Sequence, residues 1–99
     1  MSDKEDSVWQ IAEALSICDD ADLIHGFLSS LLTEYELDEV SKRWALVQLI
    51  DEGMSQRNIS KELGLSLCKI TRGSKELKKP NSPFKQMIEI YRDQSEEKD

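Results

Sequence analysis

Residues 54–78 read MSQRNISKELGLSLCKITRGSKELK, and this stretch decides the fold. Ser55 is placed to cap a helix, its hydroxyl accepting a backbone N–H of the first turn. Ile59 and Leu63 stand four apart on one face of that helix. Gly64 supplies the left-handed conformation that ends a helix without a Cβ clash. Ser66 suits a second N-cap, and Leu67, Ile70, Ser74 and Leu77 follow at helical spacing. Two short amphipathic helices joined by a tight glycine turn form the helix-turn-helix pattern, whose second helix enters the major groove of DNA.

The charge distribution supports this reading where the net charge does not. The 99-residue chain carries a formal charge of −7. Residues 1–53 hold three cationic side chains against thirteen acidic ones, whereas residues 54–85 hold eight against two. Residues 86–99 are acidic again, with two against five. A basic segment inside an acidic chain is an electrostatic footprint for phosphates, because cations laid on the backbone release counterions. Its alternative is a solvated helical face. That the basic segment coincides with the helix-turn-helix favours DNA.

Outward from this stretch the chain is helical throughout. Val8, Ile11, Ala12, Leu15 and Cys18 recur at three and four, predicting a helix over about 7–19, with residues 1–6 frayed. Asp19, Asp20 and Asp22 interrupt it, and one of them can cap the next helix. Leu23, Ile24, Phe27, Leu28, Leu31 and Leu32 make that helix apolar over more than half its circumference. Such breadth calls for burial on several sides, by its own chain or by a second one. Thr33 and Glu36 fit a capping box that starts a third helix. Its apolar face runs Leu37, Val40, Trp44, Val47 and Ile50, and Gly53 ends it. After the helix-turn-helix, Ser82 suits an N-cap and Pro83 the first helical position of a last helix over about 82–93. The tail QSEEKD is expected to be disordered. The expectation is an all-α domain of six helices spanning 1–99, with core helices about 7–51 and the helix-turn-helix about 54–78.

Other classes find little support. Cys18, Cys68 and His25 cannot complete a four-ligand zinc site. The two thiols read as reduced and partly buried, in a cytoplasmic protein. His25 lies in an apolar helix without a matched nucleophile, and no phosphate loop or paired carboxylates appear, so no enzyme and no cofactor are expected. The acidic start MSDKEDS is the reverse of a secretory n-region, and no apolar run approaches the roughly 20 residues a membrane span needs.

At ITRGS, residues 70–74, the chain resembles the Trp repressor family, one of the families on which helix-turn-helix docking is described. The matching residues are MSQR at 54–57, KELG at 61–64, ITRGS, and Leu77-Lys78. Upstream, Leu32-Thr33 stands ten residues before Arg43, the family's spacing. The resemblance covers roughly residues 30–90 and is weak in the first helix. It implies an intertwined homodimer whose first helices share a core and whose two helix-turn-helix heads project from it. It also implies L-tryptophan as corepressor, repressing genes of tryptophan metabolism or transport at operator DNA. Carried over by position, Arg43 would face the ligand carboxylate and Arg72 would stack on the indole. Leu32 and Thr33 would offer backbone carbonyls to the ammonium group, and Gly73 would allow close approach.

The chemistry suits these residue types. A guanidinium is a planar fork for a carboxylate and a flat, weakly hydrated surface for an indole. The plainer alternative pairs Arg43 with Glu39 or Glu36 at helical spacing, and leaves Arg72 touching only phosphate. For DNA, Leu67, Cys68, Lys69 and Thr71 are placed to reach base edges from the second helix. Gln56, Arg57, Lys61, Lys75 and Lys78 are placed for phosphates, which set register rather than sequence. Three departures from the family stand out: a turn one residue shorter at Gly53-Met54-Ser55, Leu67-Cys68-Lys69 in the reading helix where the family has Ile-Ala-Thr, and Glu76 where it often has Ser. Glu76 can strengthen the ammonium contact or point to solvent. Two further readings stay open: a regulator that is constitutive or answers another ligand, and a helical protein-interaction module that never touches DNA.

Overall fold

The computed structural model describes the backbone of residues 3–97 and the side chains of residues 5–93. Six helices follow one another: α1 (Asp3–Ile17), α2 (Ala21–Leu31), α3 (Glu34–Asp51), α4 (Gln56–Leu63), α5 (Leu67–Lys78) and α6 (Pro83–Glu97). No strand occurs among the described residues. None of the described helices is long and apolar enough to cross a membrane. The chain divides into two compact units between residues 37 and 38.

The first unit holds α1, α2 and the first turn of α3. α1 begins at Asp3, earlier than the expected residue 7. Acidic residues such as Glu5 and Asp6 near its start are favoured by the partial positive charge of a helix N-terminus. Asp20 caps α2, its carboxylate accepting from the N–H groups of Asp22 (3.0 Å) and Leu23 (3.2 Å). The capping box at α3 closes reciprocally. Glu36 N–H donates to Thr33 Oγ1 at 3.1 Å, and Thr33 N–H donates to Glu36 Oε1 at 2.9 Å. Hydrogen bonding to the carboxyl from the Thr33 backbone first, and then from the Thr33 side chain, holds Glu36 below its ordinary pKa. The broad apolar surface of α2 is not buried by its own chain. None of its residues is buried, and Leu23, Phe27 and Leu31 are exposed, as are Val8, Trp9 and Ile17 of α1.

The second unit holds the rest of α3 with α4, α5 and α6. Its core is Leu46, Ile59, Leu65 and Ile70, with Leu49, Ile50, Met54 and Leu63 packed against them. The short turn after α3 is a Schellman stop: Gly53 N–H donates to Ile50 O (3.0 Å) and Met54 N–H to Leu49 O (3.1 Å). Gly53 has φ 91°, which a side chain would strain, so no further residue is needed before Ser55 caps α4. Gly64 ends α4 at φ 66°, ψ 30°, and Ser60 Oγ donates to Leu65 O at 2.9 Å across the turn. Ser66 caps α5 by accepting from Lys69 N–H at 3.3 Å.

α6 is fastened to α3 at two places. Trp44 stacks on Phe84 and meets Tyr91 edge-on, each with ring centroids 6.2 Å apart. Near the end of α3, Asp51 accepts from Lys85 Nζ (3.0 Å) and from Arg92 Nη1 (2.6 Å). Ser82 caps α6 as expected, with Lys85 N–H at 3.3 Å. α6 runs past residue 93 to Glu97, so residues 94–97 are helical rather than disordered, while 98–99 lie outside the described residues. No glycine or proline interrupts that stretch, and its Gln and Glu residues favour helix.

The hydrogen bond from Lys85, joined by those from Arg92, holds the Asp51 carboxyl below its ordinary pKa despite the opposing effect of partial burial. A carboxylate favoured in the folded state adds stability above its unfolded pKa, and that stability is lost as pH falls through the folded value. Asp51→Asn is therefore expected to lower the melting temperature near neutral pH, with the gap from wild type closing as pH falls below the ordinary aspartate pKa. Melting curves of both proteins across this range measure it; parallel acid dependences would show that Asp51 does not hold α6.

Candidate functional site

Helical geometry assembles a pocket inside the second unit. Glu39, Lys42, Arg43, Leu46 and Val47 recur along one face of α3, and Lys69, Arg72, Gly73 and Glu76 repeat that spacing on α5. Leu65 and Phe84 complete a cavity of about 260 Å³. This is close to the lower end of ordinary small-molecule sites, about 300–1,000 Å³. Gly73 lets α5 pack closely against α3. A Cβ there would stand 3.0 Å from Leu46 Cδ2 and 3.5 Å from Ile50 Cδ1.

The charges around this cavity are unevenly matched. Lys42 pairs with Asp38 (3.0 Å), Lys69 with Glu39 (3.5 Å) and Glu76 with Lys79 (2.9 Å). Among the described residues, Arg43 and Arg72 have no acidic partner. The alternative in which Arg43 pairs with Glu39 or Glu36 is thereby removed: Glu39 is taken by Lys69, and Glu36 by the cap at Thr33. Two guanidinium groups thus line a cavity with apolar walls and lack counter-ions. Such an arrangement favours an anionic group carried on a flat apolar body.

Arg43, Arg72, Gly73 and Glu76 come together at the pocket. Leu32 and Thr33 belong to the first unit. The Thr33 carbonyl accepts from Leu37 N–H at 2.8 Å, as an N-cap carbonyl does. Leu67, Cys68, Thr71 and Lys75, together with Arg72, border a shallow depression on another face of α5. Gln56, Arg57, Lys61, Lys75 and Lys78 are all exposed, and among the described residues none of these four cations has an acidic partner.

Two placements differ from expectation. Lys69, read as lying beside Thr71 on the outer face, reaches back to Glu39 on α3. The reason is its register: residues 69, 72, 73 and 76 form one stripe of α5, and 67, 68, 71 and 75 another. Cys68 is exposed rather than partly buried, whereas Cys18 is half-buried, and both thiols are free. Glu39 and Phe84 were missed as pocket residues. The spacing of Glu39 from Arg43 was a usable signal for the first; nothing local pointed to Phe84, which comes from a separate helix.

The sequence profile of the family described as Trp repressor protein matches residues 6–91. The chain belongs to the Trp repressor family. A Trp operon repressor homolog of Haemophilus influenzae is 38% identical over 82 residues, covering 82% of this chain and 81% of that protein. One from Chlamydia trachomatis is 30% identical over 93 residues, covering 90% of this chain and 97% of that protein. One from Chlamydia caviae is 37% identical over 65 residues, and the match spans 64% of its length, just under two thirds. No solved structure matches the chain significantly. The Trp repressor family is one of non-catalytic, DNA-binding transcriptional regulators, and this member shares that general function.

Proposed function

We propose that this member of the Trp repressor family is a tryptophan-dependent repressor, in which L-tryptophan in the α3–α5 pocket fits the reading helix to operator DNA of tryptophan metabolism or transport genes. The observation that carries the reading is the pair of guanidiniums, Arg43 and Arg72, without acidic partners among the described residues, on one apolar-walled cavity. Arg43 takes the ligand carboxylate and Arg72 lies against the indole, with Gly73 giving room and Glu76 near the ammonium group. On the DNA side, Leu67, Cys68, Lys69 and Thr71 read bases, and Gln56, Arg57, Lys61, Lys75 and Lys78 hold phosphates. The whole chain acts as one domain of a cytoplasmic homodimer. The exposed apolar side chains of α1 and α2, among them Trp9, Leu23 and Leu31, support a second copy as their cover.

The pocket walls come from α5 and α3, so a bound ligand orders the reading helix against the helix that carries it. Ordering removes an entropic cost that DNA would otherwise meet. By linkage, DNA raises tryptophan affinity by the factor through which tryptophan raises DNA affinity. The test is calorimetry with L-tryptophan, followed by DNA retention from a random-sequence pool with and without it. Expected are measurable heat and salt-sensitive retention that requires tryptophan. Retention that is salt-sensitive but unchanged by tryptophan, with no heat of binding, would leave a constitutive regulator in its place.

A further inference from the structure

The Glu39–Lys69 ion pair sits on the rim of the pocket, and it joins two helices with different jobs. Glu39 belongs to α3, and its side chain is 22% exposed; Lys69 belongs to the reading helix α5, and its side chain is 53% exposed. Their N···O distance is 3.5 Å, long beside the roughly 2.7–2.9 Å of a strong charge-assisted bond. Among the described residues Lys69 is the sole cation paired with Glu39. The other acid of the pocket, Glu76, is already held at 2.9 Å by Lys79 from its own helix region. The cavity therefore has an anion-binding end, at Arg43 and Arg72, and one carboxylate whose counter-ion is loosely held.

We propose that Glu39 adds a carboxylate acceptor for the ammonium group of a zwitterionic amino-acid ligand, and that this ligand displaces Lys69 and releases it towards DNA. The inference rests on the proposed corepressor pocket and deepens it. The exchange is balanced in charge, because one ammonium leaves Glu39 as another arrives. Its consequence is regulatory. Without ligand, the Lys69 charge is neutralised on α3 and is withheld from DNA. With ligand, α5 gains one free cation on each chain. An aromatic acid that lacks the ammonium group fills the guanidinium end, leaves Glu39 to Lys69, and does not make this switch.

Two variants and two probes test the exchange: Glu39→Gln and Lys69→Gln, with L-tryptophan and indole-3-propionate, the same skeleton without its ammonium group. In calorimetry, Glu39→Gln is expected to weaken L-tryptophan binding about tenfold, as loss of a charged hydrogen bond does, and to leave indole-3-propionate unchanged. Lys69→Gln is expected to tighten L-tryptophan binding several-fold, because a competitor for Glu39 is gone, while weakening DNA binding. L-tryptophan should also steepen the dependence of log DNA affinity on log salt by about 0.9 for each Lys69 released, and should not do so in Lys69→Gln. A Lys69 that only touches DNA predicts wild-type tryptophan affinity in Lys69→Gln, and that result would overturn the exchange while leaving the corepressor reading intact. Absence of tryptophan binding in the wild-type protein would overturn both.

Discussion

Ile70→Ala is expected to lower the stability of the helix-turn-helix unit by about 2–5 kcal/mol, the range for truncating a fully buried aliphatic side chain. Ile70 has no exposed surface and packs in the cluster formed with Leu46, Ile59 and Leu65. It is thus where α5 is held against both α3 and α4. The loss combines the transfer of the removed methyl groups with the cavity they leave, in a core too small to collapse around it. Against a typical total of about 5–15 kcal/mol, it removes a large share. Leu67→Ala on the same helix is the control: Leu67 is 59% exposed, and its truncation should stay within about 0.5 kcal/mol. Urea titrations should show a lowered midpoint at unchanged slope for Ile70→Ala alone. Equal losses in the two variants would mean that α5 is not held through Ile70.

Arg72→Ala has the opposite profile. It is expected to abolish tryptophan-dependent DNA retention and to cost about 0.5–2 kcal/mol in ligand binding, the range for a guanidinium lying on an aromatic face. Folding should not suffer. Arg72 has no acidic partner among the described residues, and it shares its cavity with the equally unpartnered Arg43. Removing one of two like charges leaves no orphaned carboxylate behind and relieves a repulsion. Calorimetry with L-tryptophan and a melting curve of the ligand-free protein separate the two effects. A variant that keeps its response to tryptophan would remove Arg72 from the ligand site.

The helices and their boundaries were readable because their signals are local. Ser55, Ser66, Ser82 and the Thr33–Glu36 box each satisfy backbone groups within one turn. Gly53 and Gly64 take left-handed backbones that the residues around them cannot reach without strain. Family-typical spacing also points Arg43, Arg72 and Gly73 to one site, and all three line the pocket. The ends were less legible: α1 starts early and α6 runs late, since charged and polar residues carry no stop signal of their own.

Long-range partners were a different matter. Arg43 had two candidate partners by helical spacing, Glu39 and Glu36; Glu39 instead meets Lys69, thirty residues away on α5. Asp51 finds Lys85 and Arg92 across a similar gap, and Trp44 finds Phe84 and Tyr91. Periodicity tells which side chains share a face, and that alone set the two stripes of α5. Which stripe meets α3 depends on the rotation of one helix against another, and that rotation is decided by how Ile70, Gly73 and Leu46 pack. Six helices, their caps and the basic helix-turn-helix follow from forces that act within a turn of chain. The pocket, the two arginines brought together on it and the reach of Lys69 back to Glu39 follow from packing, which no short stretch of chain encodes.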